Sequence, residues 1–253
     1  MNLTELSAKT IFSSRAESYA KYRPSYPNEI IKFLNAAIGL TKEDVIADIG
    51  SGTGISSKLF LNNENEVYGI EPNKEMRTLS EKSLIHYANF HSIDASSEAT
   101  KLGSKSIDII TSGQAFHWFE PEATKKEFLR ILKPNGFVII FSNRRIPSNS
   151  QFMNEYSQLI SKYSEKDFSY PLNTDLPGFF DLKKIHEVVF PNPQIFNLER
   201  LIGDLVSYSY IPNEEDPRFN DMIAKFELLF EKYSTDGTLV FHYETVLIYC
   251  QMK

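Results

Sequence analysis

The chain has 253 residues, of which 42% are hydrophobic and 24% charged, and its net charge is -6 at pH 7. This length and composition are typical of one folded α/β domain, or of a core domain that carries a small cap. The acidic balance disfavours a broad nucleic-acid interface, because such an interface needs a basic face to neutralise phosphates.

Membrane and secretory segments are not evident in the sequence. No run of about 18 apolar residues occurs, so we expect no transmembrane helix. The first residues lack the basic start and apolar stretch of a secretory signal. The single cysteine, Cys250, cannot form an intramolecular disulfide. These features predict a cytoplasmic protein that does not act at a membrane.

Short apolar runs alternate with helical patterns through the first half of the chain. The predicted strands lie at 45–49, 66–70, 89–93, 107–111 and 136–141. Helices are predicted to begin at Pro27 and at Pro121, because proline suits the first turn of a helix. Near-continuous apolar strands with helices between them are typical of a parallel sheet covered on both faces. We therefore predict an α/β fold with a doubly wound sheet.

The pattern changes after residue 141. The segment 142–182 is polar and contains one predicted helix at about 150–163, which indicates a small helical cap. The later predicted elements are a strand at 184–190, helices near 198–206 and 217–233, and a long final strand at about 239–250. The predicted organisation is one domain, with an N-terminal lid at about 1–27, a core at about 28–141 and 183–253, and a cap insertion at about 142–182.

Three glycines at alternate positions, Gly50, Gly52 and Gly54, follow the first predicted strand directly. Glycine lets the backbone turn sharply and approach a ligand without a side chain in the way. Open α/β sheets bind ligands at the carboxyl ends of their strands. The spacing does not match a dinucleotide fingerprint, because Ile55 or Ser57 occupies the position of its third glycine. A phosphate-binding P-loop is excluded as well, since no Gly-Lys-Ser or Gly-Lys-Thr sequence follows.

The loop from Asp48 to Gly54 instead resembles motif I of the class I S-adenosylmethionine-dependent methyltransferases. Three later segments resemble this family in the expected order: Glu71 after the second strand, Ile93 to Ala95 after the third, and Gln114 to Trp118 after the fourth. The resemblance implies a seven-stranded Rossmann-like sheet of order 3-2-1-4-5-7-6, whose last strand is antiparallel.

The resemblance also implies roles for these residues. Glu71 would accept hydrogen bonds from both ribose hydroxyls, while Asp94 and the backbone of Ala95 would read the adenine edge. Asp48 would either meet the amino group of the methionine moiety or hold the backbone of the loop, and Asp94 could instead cap the next helix. The predicted cofactor-binding residues are Tyr19, Arg23, Asp48, Gly50, Ser51, Gly52, Gly54, Glu71, Pro72, Met76, Asp94, Ala95, Gln114, Ala115 and Phe116.

The N-terminal segment resembles that of a methyltransferase type 11 subgroup that includes trans-aconitate methyltransferase-like proteins. From Phe12 to Pro27 it contains a Tyr-x-x-x-Arg-Pro-x-Tyr-Pro pattern, which begins at Tyr19. In such proteins this segment lies over the cofactor. Arg23 could therefore approach a carboxylate of the cofactor or the acceptor, or the pattern could merely end extended chain before a helix. Gln114 to Phe119 and Ser207 to Tyr210 resemble the same subgroup.

The methyl acceptor is predicted to be a small molecule enclosed in part by the cap. The residues that could line its pocket are His117, Trp118, Arg144, Tyr208 and Tyr210. His117 is the candidate for a general base, and Arg144 with its neighbour Arg145 could bind an acidic substrate. Partial core and solvated surface are the alternative interpretations of these residues. No metal site is predicted, because the five histidines are scattered without the spacing of zinc ligands.

These patterns predict an S-adenosylmethionine-dependent methyltransferase whose product from the cofactor is S-adenosylhomocysteine. The resemblance to the subgroup favours an oxygen acceptor, either a carboxylate or a hydroxyl. Two alternatives stay open: a nicotinamide-dependent oxidoreductase on a similar sheet, and a protein that binds the cofactor without turnover. We expect a monomer or a homodimer with no nucleic-acid partner.

Overall fold

The computed structural model of the chain describes residues 16–147, 150–164, 175–181 and 183–252. Parts of the predicted lid and cap, including Phe12 to Arg15 of the N-terminal pattern, lie outside these described residues. The strands in chain order are β1 (Val45–Ile49), β2 (Glu66–Ile70), β3 (Phe90–Ile93), β4 (Ile107–Gly113), β5 (Leu132–Arg145), β6 (His186–Pro191), β7 (Gln194–Phe196), β8 (Leu239–Phe241) and β9 (Tyr243–Gln251). The helices are α1 (Ala16–Tyr22), α2 (Glu29–Ile38), α3 (Ile55–Leu61), α4 (Lys74–Ser83), α5 (Pro121–Ile131), α6 (Gln151–Tyr163), α7 (Leu176–Phe179), α8 (Leu198–Val206) and α9 (Phe219–Tyr233), with a 3-10 turn at Phe116–Trp118.

Seven of these strands form one sheet in the order β3-β2-β1-β4-β5-β9-β6. The strands from β1 to β5 run parallel to one another, and β9 pairs antiparallel with both β5 and β6. This is the predicted order 3-2-1-4-5-7-6 with its antiparallel last strand, so the predicted fold class is confirmed. Because the carboxyl ends of parallel strands meet at one edge, the segments after β1, β2 and β4 gather around one crevice.

Local sequence signals account for where several helices begin and end. Helix α5 has Pro121 in its first turn, and the Glu120 side chain accepts hydrogen bonds from the backbone amides of Glu122 and Ala123. Helix α2 ends at Ile38 and is capped by Gly39, whose φ of 74° suits glycine at a helix C-terminus. Among the helices that the structure describes, none has the length and apolarity needed to cross a membrane.

The end of the chain differs from its prediction. The sequence predicts one strand at about 239–250, whereas the structure has two strands, β8 and β9, separated by His242. Strand β8 pairs with β7 in a separate two-stranded sheet, in which Ile195 lies opposite Val240. The unbroken apolar and aromatic pattern is compatible with either sheet, so it could not reveal that the chain changes its pairing partner.

Strand β5 begins earlier than predicted. The sequence predicts this strand from residue 136, after a turn at 133–136, yet β5 already begins at Leu132. Its register with β4 shifts between Ile107 and Ile109, and Asn135 adopts a positive φ of 66°. The predicted turn is thus present as an irregularity within the strand rather than as a connection before it.

Side chains of the main sheet alternate between two hydrophobic clusters, one on each face. Along β9, Val246 and Ile248 belong to one cluster and Leu247 belongs to the other, as the two-residue period of a strand requires. A third cluster packs α6, α8 and α9 against β7 and β8, with Tyr156 and Phe241 completely buried. This third cluster joins residues of the predicted cap insertion, 142–182, to residues of the predicted core that follow it. The predicted domain boundaries therefore stay a prediction.

Candidate active site

The loop that follows β1 contains the three predicted glycines. Gly50, Gly52 and Gly54 have φ angles of 69°, 55° and 85°, a region that residues with side chains disfavour. A Cβ atom at Gly50 would lie 2.4 Å from the Cβ of Ala115, and one at Gly54 would lie 2.7 Å from Leu84. At Gly52, no described atom lies within 4 Å of the corresponding point. Packing therefore requires the outer two glycines, whereas Gly52 borders open space.

Asp48 lies beneath this loop and is completely buried. Its Oδ2 atom accepts hydrogen bonds from the Ser56 and Ser57 hydroxyls, both at 2.6 Å. Its Oδ1 atom accepts a hydrogen bond from the Thr111 hydroxyl at 3.1 Å. Burial raises the pKa of Asp48, and these hydroxyls lower it in part. These contacts tie the end of β1 to α3 and to β4, and both predicted roles of Asp48 stay predictions.

Asp48 should make the stability of the protein depend on pH. Because its pKa is raised above its ordinary value of 3.8, the folded protein keeps this proton to a higher pH than the unfolded chain does. The contribution of Asp48 to the free energy of unfolding should therefore fall as pH rises from about 4 towards neutrality. We expect Asp48→Asn to flatten this fall in urea unfolding at several pH values, and the exposed Asp236→Asn to leave it unchanged. If the free energy of unfolding of Asp48→Asn fell with pH as steeply as that of the wild type, the raised pKa of Asp48 would be contradicted.

The Glu71 carboxylate links the glycine loop to the segment after β2. Its Oε2 atom accepts a hydrogen bond from the backbone nitrogen of Gly52 at 2.9 Å, and Oε1 accepts one from that of Asn73 at 2.8 Å. The residue is 9% exposed, and burial raises its pKa. Each carboxylate oxygen retains a further lone pair, so Glu71 can accept two more hydrogen bonds from a ligand.

Glu71 forms part of the wall of a cavity of about 150 Å³. Met76, Trp118 and Phe119 supply apolar surface to the same wall. A cavity that combines apolar surface with a few placed polar groups suits a small ligand that has both an aromatic and a polar part. This space is the smaller of two adjoining cavities and is called the smaller cavity below.

Asp94 and Ala95 are not among the described residues that border the smaller cavity. Asp94 is exposed, and its Oδ2 atom lies 3.1 Å from the Nη2 atom of Arg77. Ala95 is buried in the core, and the described wall of the smaller cavity contains Ser96 to Glu98 instead. Arg77, which the sequence did not single out, also donates to the backbone oxygen of Glu71 at 2.9 Å. Arg77 thereby connects the ends of β2 and β3. The predicted recognition of adenine by Asp94 stays a prediction.

A larger cavity of about 530 Å³ adjoins the smaller one, and both are bordered by Gly50, Gly52 and Gln114. Gln114 has a positive φ of 61°, which is uncommon outside glycine and occurs often at functional sites. Tyr26, which was not predicted as a site residue, also borders the larger cavity. The predicted cofactor residues that border one or both cavities are Tyr19, Arg23, Gly50, Ser51, Gly52, Glu71, Pro72, Met76, Gln114, Ala115 and Phe116. Those outside the described walls are Asp48, Gly54, Asp94 and Ala95.

His117 and Trp118 lie in the turn after β4 and border different cavities. His117 borders the larger cavity, and burial lowers its pKa, which favours the neutral form that can accept a proton. Trp118 borders the smaller cavity and is 40% exposed. Of these two residues, His117 thus borders the cavity with more room.

Helix α1 and the residue after it bring Tyr19 and Arg23 to the cavities. Tyr19 borders both of them. The guanidinium carbon of Arg23 lies 4.7 Å from the centroid of the Tyr19 ring and 3.7 Å from that of Tyr208. Arg23 also donates to the backbone oxygen of Ser207 at 3.3 Å. Two predicted segments that are far apart in the sequence therefore meet at the larger cavity.

Arg144 and Arg145, adjacent at the end of β5, have different surroundings. Arg144 is exposed and pairs with Glu244 on β9. The guanidinium carbon of Arg145 lies 4.7 Å from the centroid of the Tyr208 ring, and its Nη2 atom donates to the Tyr210 hydroxyl at 2.8 Å. Both arginines border the larger cavity, and Arg145 is the one that contacts the predicted acceptor residues Tyr208 and Tyr210.

Residues 47–140 match the type 11 methyltransferase domain family. The chain is similar to an uncharacterized methyltransferase of Schizosaccharomyces pombe, with 26% identity over 83% of this chain and 84% of that protein. Among solved structures, a protein of Anaeromyxobacter dehalogenans assigned as a type II methyltransferase has a TM-score of 0.68 at 17% identity, over 91% of this chain and 98% of its own. A Haemonchus contortus phosphoethanolamine N-methyltransferase solved with S-adenosylhomocysteine has a TM-score of 0.52 at 14% identity, over 97% of this chain and 57% of its own.

The sheet order, the crevice at the strand ends and these similarities define a class I methyltransferase, an enzyme that depends on S-adenosylmethionine. More narrowly, residues 47–140 carry the match to the type 11 methyltransferase domain. The predicted family and enzyme class are confirmed, and the nicotinamide-dependent oxidoreductase is set aside.

Proposed function

We propose that the enzyme transfers the methyl group of S-adenosylmethionine to an oxygen atom of a small molecule and releases S-adenosylhomocysteine. The acceptor oxygen belongs to a carboxylate or a hydroxyl, and the site favours the carboxylate. The observation that carries the proposal is the pair of adjoining cavities, which meet at the glycine loop. The smaller cavity has a buried carboxylate beside apolar surface, whereas the larger one has guanidinium groups among tyrosine rings.

The smaller cavity suits the adenosine part of the cofactor. The Glu71 carboxylate offers two acceptors for the ribose hydroxyls, and Met76 and Phe119 supply apolar surface for the adenine ring. Gly52 leaves space beside Glu71 that a side chain would fill. The Haemonchus protein of the same fold was solved with S-adenosylhomocysteine, which supports the choice of cofactor.

The larger cavity suits the methionine part of the cofactor together with the acceptor. Its volume of about 530 Å³ lies within the range of pockets that hold small molecules. Gly50, Gln114 and Tyr19 border both cavities, so they lie where the two parts of the cofactor would join. Arg145 and Tyr208 then line the part of the cavity that is left for the acceptor.

The chemistry requires little covalent help from the protein. When bound, the cofactor supplies a methyl group on a sulfonium, which is already activated. The chain has to hold the acceptor oxygen in line with that methyl group and to exclude water, and such orientation contributes up to ~7–11 kcal/mol in favourable cases. A carboxylate is already ionised and needs no base. For a hydroxyl acceptor, neutral His117 borders the larger cavity and could take the proton.

The arginines of the larger cavity favour a carboxylate acceptor. Arg23 and Arg145 both border the cavity and both lie over the Tyr208 ring. A guanidinium presents paired donors whose geometry matches the two oxygens of a carboxylate. The Tyr243 hydroxyl lies 3.4 Å from that of Tyr208, so the same wall also offers hydroxyl groups to a ligand.

Two measurements test the proposed function. Titration calorimetry should detect binding of S-adenosylhomocysteine and no binding of NAD. S-adenosylmethionine with a tritiated methyl group, incubated with a metabolite extract, should yield a labelled product that releases volatile methanol in mild base, as a methyl ester does. A base-stable label would assign the transfer to a hydroxyl or to another atom. Binding of NAD alone, or no labelled product across a broad metabolite panel, would overturn the proposal.

Arg145 should matter more than Arg144 for the acceptor. We expect Arg145→Met to raise KM for the acceptor found in that assay about 10- to 100-fold, because hydrogen bonds to a charged group contribute roughly 1.5–3 kcal/mol. Arg144→Met is the matched control, since Arg144 is exposed and paired with Glu244, and its KM should change by no more than about twofold. The affinity for S-adenosylhomocysteine should be unchanged in both. Equal increases in KM for the two variants would contradict the role of Arg145.

A further inference from the structure

The hydroxyl group of Tyr26 lies beside the join between the two cavities. Tyr26 precedes α2 and borders the larger cavity. A Cβ atom at Gly113, the last residue of β4, would lie 2.9 Å from the Tyr26 hydroxyl oxygen. The hydroxyl therefore occupies the space that a side chain at this position would need. Gly113 borders both cavities, so the hydroxyl lies where the two parts of the cofactor would join.

The position of Tyr26 is fixed from its backbone and from its ring. The backbone oxygen of Ser25 accepts hydrogen bonds from the side-chain amides of Asn192 at 2.7 Å and of Asn143 at 3.2 Å. Asn192 is itself buried. The Tyr26 ring packs edge-on against Phe141, with 4.5 Å between the ring centroids. A hydroxyl held in this way loses little further freedom when a ligand binds to it.

This hydroxyl is available to a ligand. Among the residues that the structure describes, none forms a hydrogen bond with it, and its oxygen is not one of the fully buried unpaired atoms. The oxygen therefore keeps accessible surface at the cavity, where a ligand or water can pair with it. Burial raises the pKa of Tyr26 well above its ordinary value, so the hydroxyl keeps its proton and can donate a hydrogen bond.

The charges near Tyr26 favour an anionic partner for this donor. The guanidinium of Arg23 lowers the pKa of Tyr26 in part, so its positive charge acts on the hydroxyl. Asp48 acts in the opposite direction, but burial raises its own pKa and three hydroxyls already donate to its carboxyl group. The anionic group of S-adenosylmethionine is the carboxylate of its methionine part. A donor near a positive charge suits that group.

We propose that the Tyr26 hydroxyl donates a hydrogen bond to the carboxylate of the methionine part of S-adenosylmethionine. The inference rests on the proposed function, because that function places the methionine part in the larger cavity. Tyr26 is then a cofactor-binding residue that acts far from the methyl group. Its contact holds the end of the cofactor that lies beyond the join between the cavities.

Titration calorimetry with two ligands tests this contact. S-adenosylhomocysteine has the carboxylate, whereas its decarboxylated analogue keeps the amino group and the adenosine but lacks it. In Tyr26→Phe, the Kd of S-adenosylhomocysteine should rise about tenfold or more, as expected for a lost hydrogen bond to a charged group. The Kd of the analogue should change by no more than about twofold, because the group that Tyr26 contacts is absent from it.

Tyr87→Phe is the matched control for Tyr26→Phe. Tyr87 packs against the same hydrophobic cluster as Tyr26, and its hydroxyl donates to the Asn62 side chain at 2.6 Å. It is not part of either described cavity wall. Both ligands should therefore bind Tyr87→Phe as tightly as they bind the wild type.

The melting temperature separates a binding role of the Tyr26 hydroxyl from a structural one. Because no described residue pairs with this hydroxyl, its removal should leave the melting temperature unchanged or raise it slightly. The ring and its packing against Phe141 are kept in Tyr26→Phe. A hydroxyl that only supported the fold would lower the melting temperature when removed, and would weaken the binding of both ligands.

Two results would overturn the inference: an unchanged Kd of S-adenosylhomocysteine in Tyr26→Phe, or equal weakening of both ligands. Equal weakening would assign the effect to packing or to the amino group that the ligands share. If Tyr26→Phe is less stable than the wild type, the ratio of the two affinities still decides the question. Failure of the proposed function has a different signature, namely no binding of S-adenosylhomocysteine or no methyl transfer by the wild type.

Discussion

Gly52→Ala is expected to weaken the binding of S-adenosylhomocysteine at least about 100-fold, which corresponds to roughly 2.7 kcal/mol, with a smaller loss of stability. The new Cβ atom would meet no described protein atom within 4 Å, so it would enter the space that we propose for the cofactor. The cost to the folded protein is that of a positive φ, 55° here, which is roughly 1–2 kcal/mol for a residue with a side chain.

Gly39→Ala is the matched control for this variant. Gly39 also has a positive φ, of 74°, and open surroundings, but it lies at the end of α2 and is not part of either described cavity wall. Urea unfolding should therefore show similar losses of stability in the two variants, and calorimetry should show a loss of affinity in Gly52→Ala alone. Equal affinities would mean that the space beside Gly52 does not hold the cofactor.

Glu71→Gln is expected to weaken the binding of S-adenosylhomocysteine by about 100-fold, roughly 2.7 kcal/mol, because the hydrogen bond from a ribose hydroxyl to a charged carboxylate contributes roughly 1.5–3 kcal/mol. The carboxylate already accepts hydrogen bonds from the backbone nitrogens of Gly52 and Asn73. Glutamine replaces one acceptor oxygen with a donor. One backbone N–H and one ribose hydroxyl would then both lose an acceptor.

Glu64→Gln is the matched control for Glu71→Gln, since the Glu64 side chain is 75% exposed and lies 3.4 Å from Lys42. Its affinity for S-adenosylhomocysteine should equal that of the wild type in calorimetry. The melting temperatures of both variants show whether Glu71→Gln destabilises the glycine loop or only removes a contact with the ligand. A decrease of less than about threefold in Glu71→Gln would argue against a ribose at this carboxylate, whatever the melting temperature.

Much of the fold could be predicted from local patterns in the sequence. Apolar strands that alternate with helices predicted a doubly wound sheet, and the resemblance implied its strand order, which is confirmed. These patterns suffice because a strand covered on both faces must be apolar along its whole length. They did not suffice at His242, where the chain changes from one sheet to another. Both pairings bury the same kinds of side chain, so the pattern is the same for either.

The candidate site was predicted in part. The glycine loop, Glu71 and Gln114 were expected at one crevice because they follow neighbouring parallel strands, and the structure brings them to the walls of two adjoining cavities. Asp94 was expected there as well, but it turns outward to Arg77. The direction of a side chain just after a strand depends on its neighbours from other elements, and local spacing does not describe them.

By itself, the sequence determined the alternation of strands and helices that builds the main sheet, and which loops gather at the carboxyl edge of that sheet. The tertiary structure alone decided which side chains border the larger cavity. Successive residues of a strand point to opposite faces, so the different surroundings of Arg144 and Arg145 follow from the register of β5 against β9. Long-range packing of this kind leaves no local signal in the sequence.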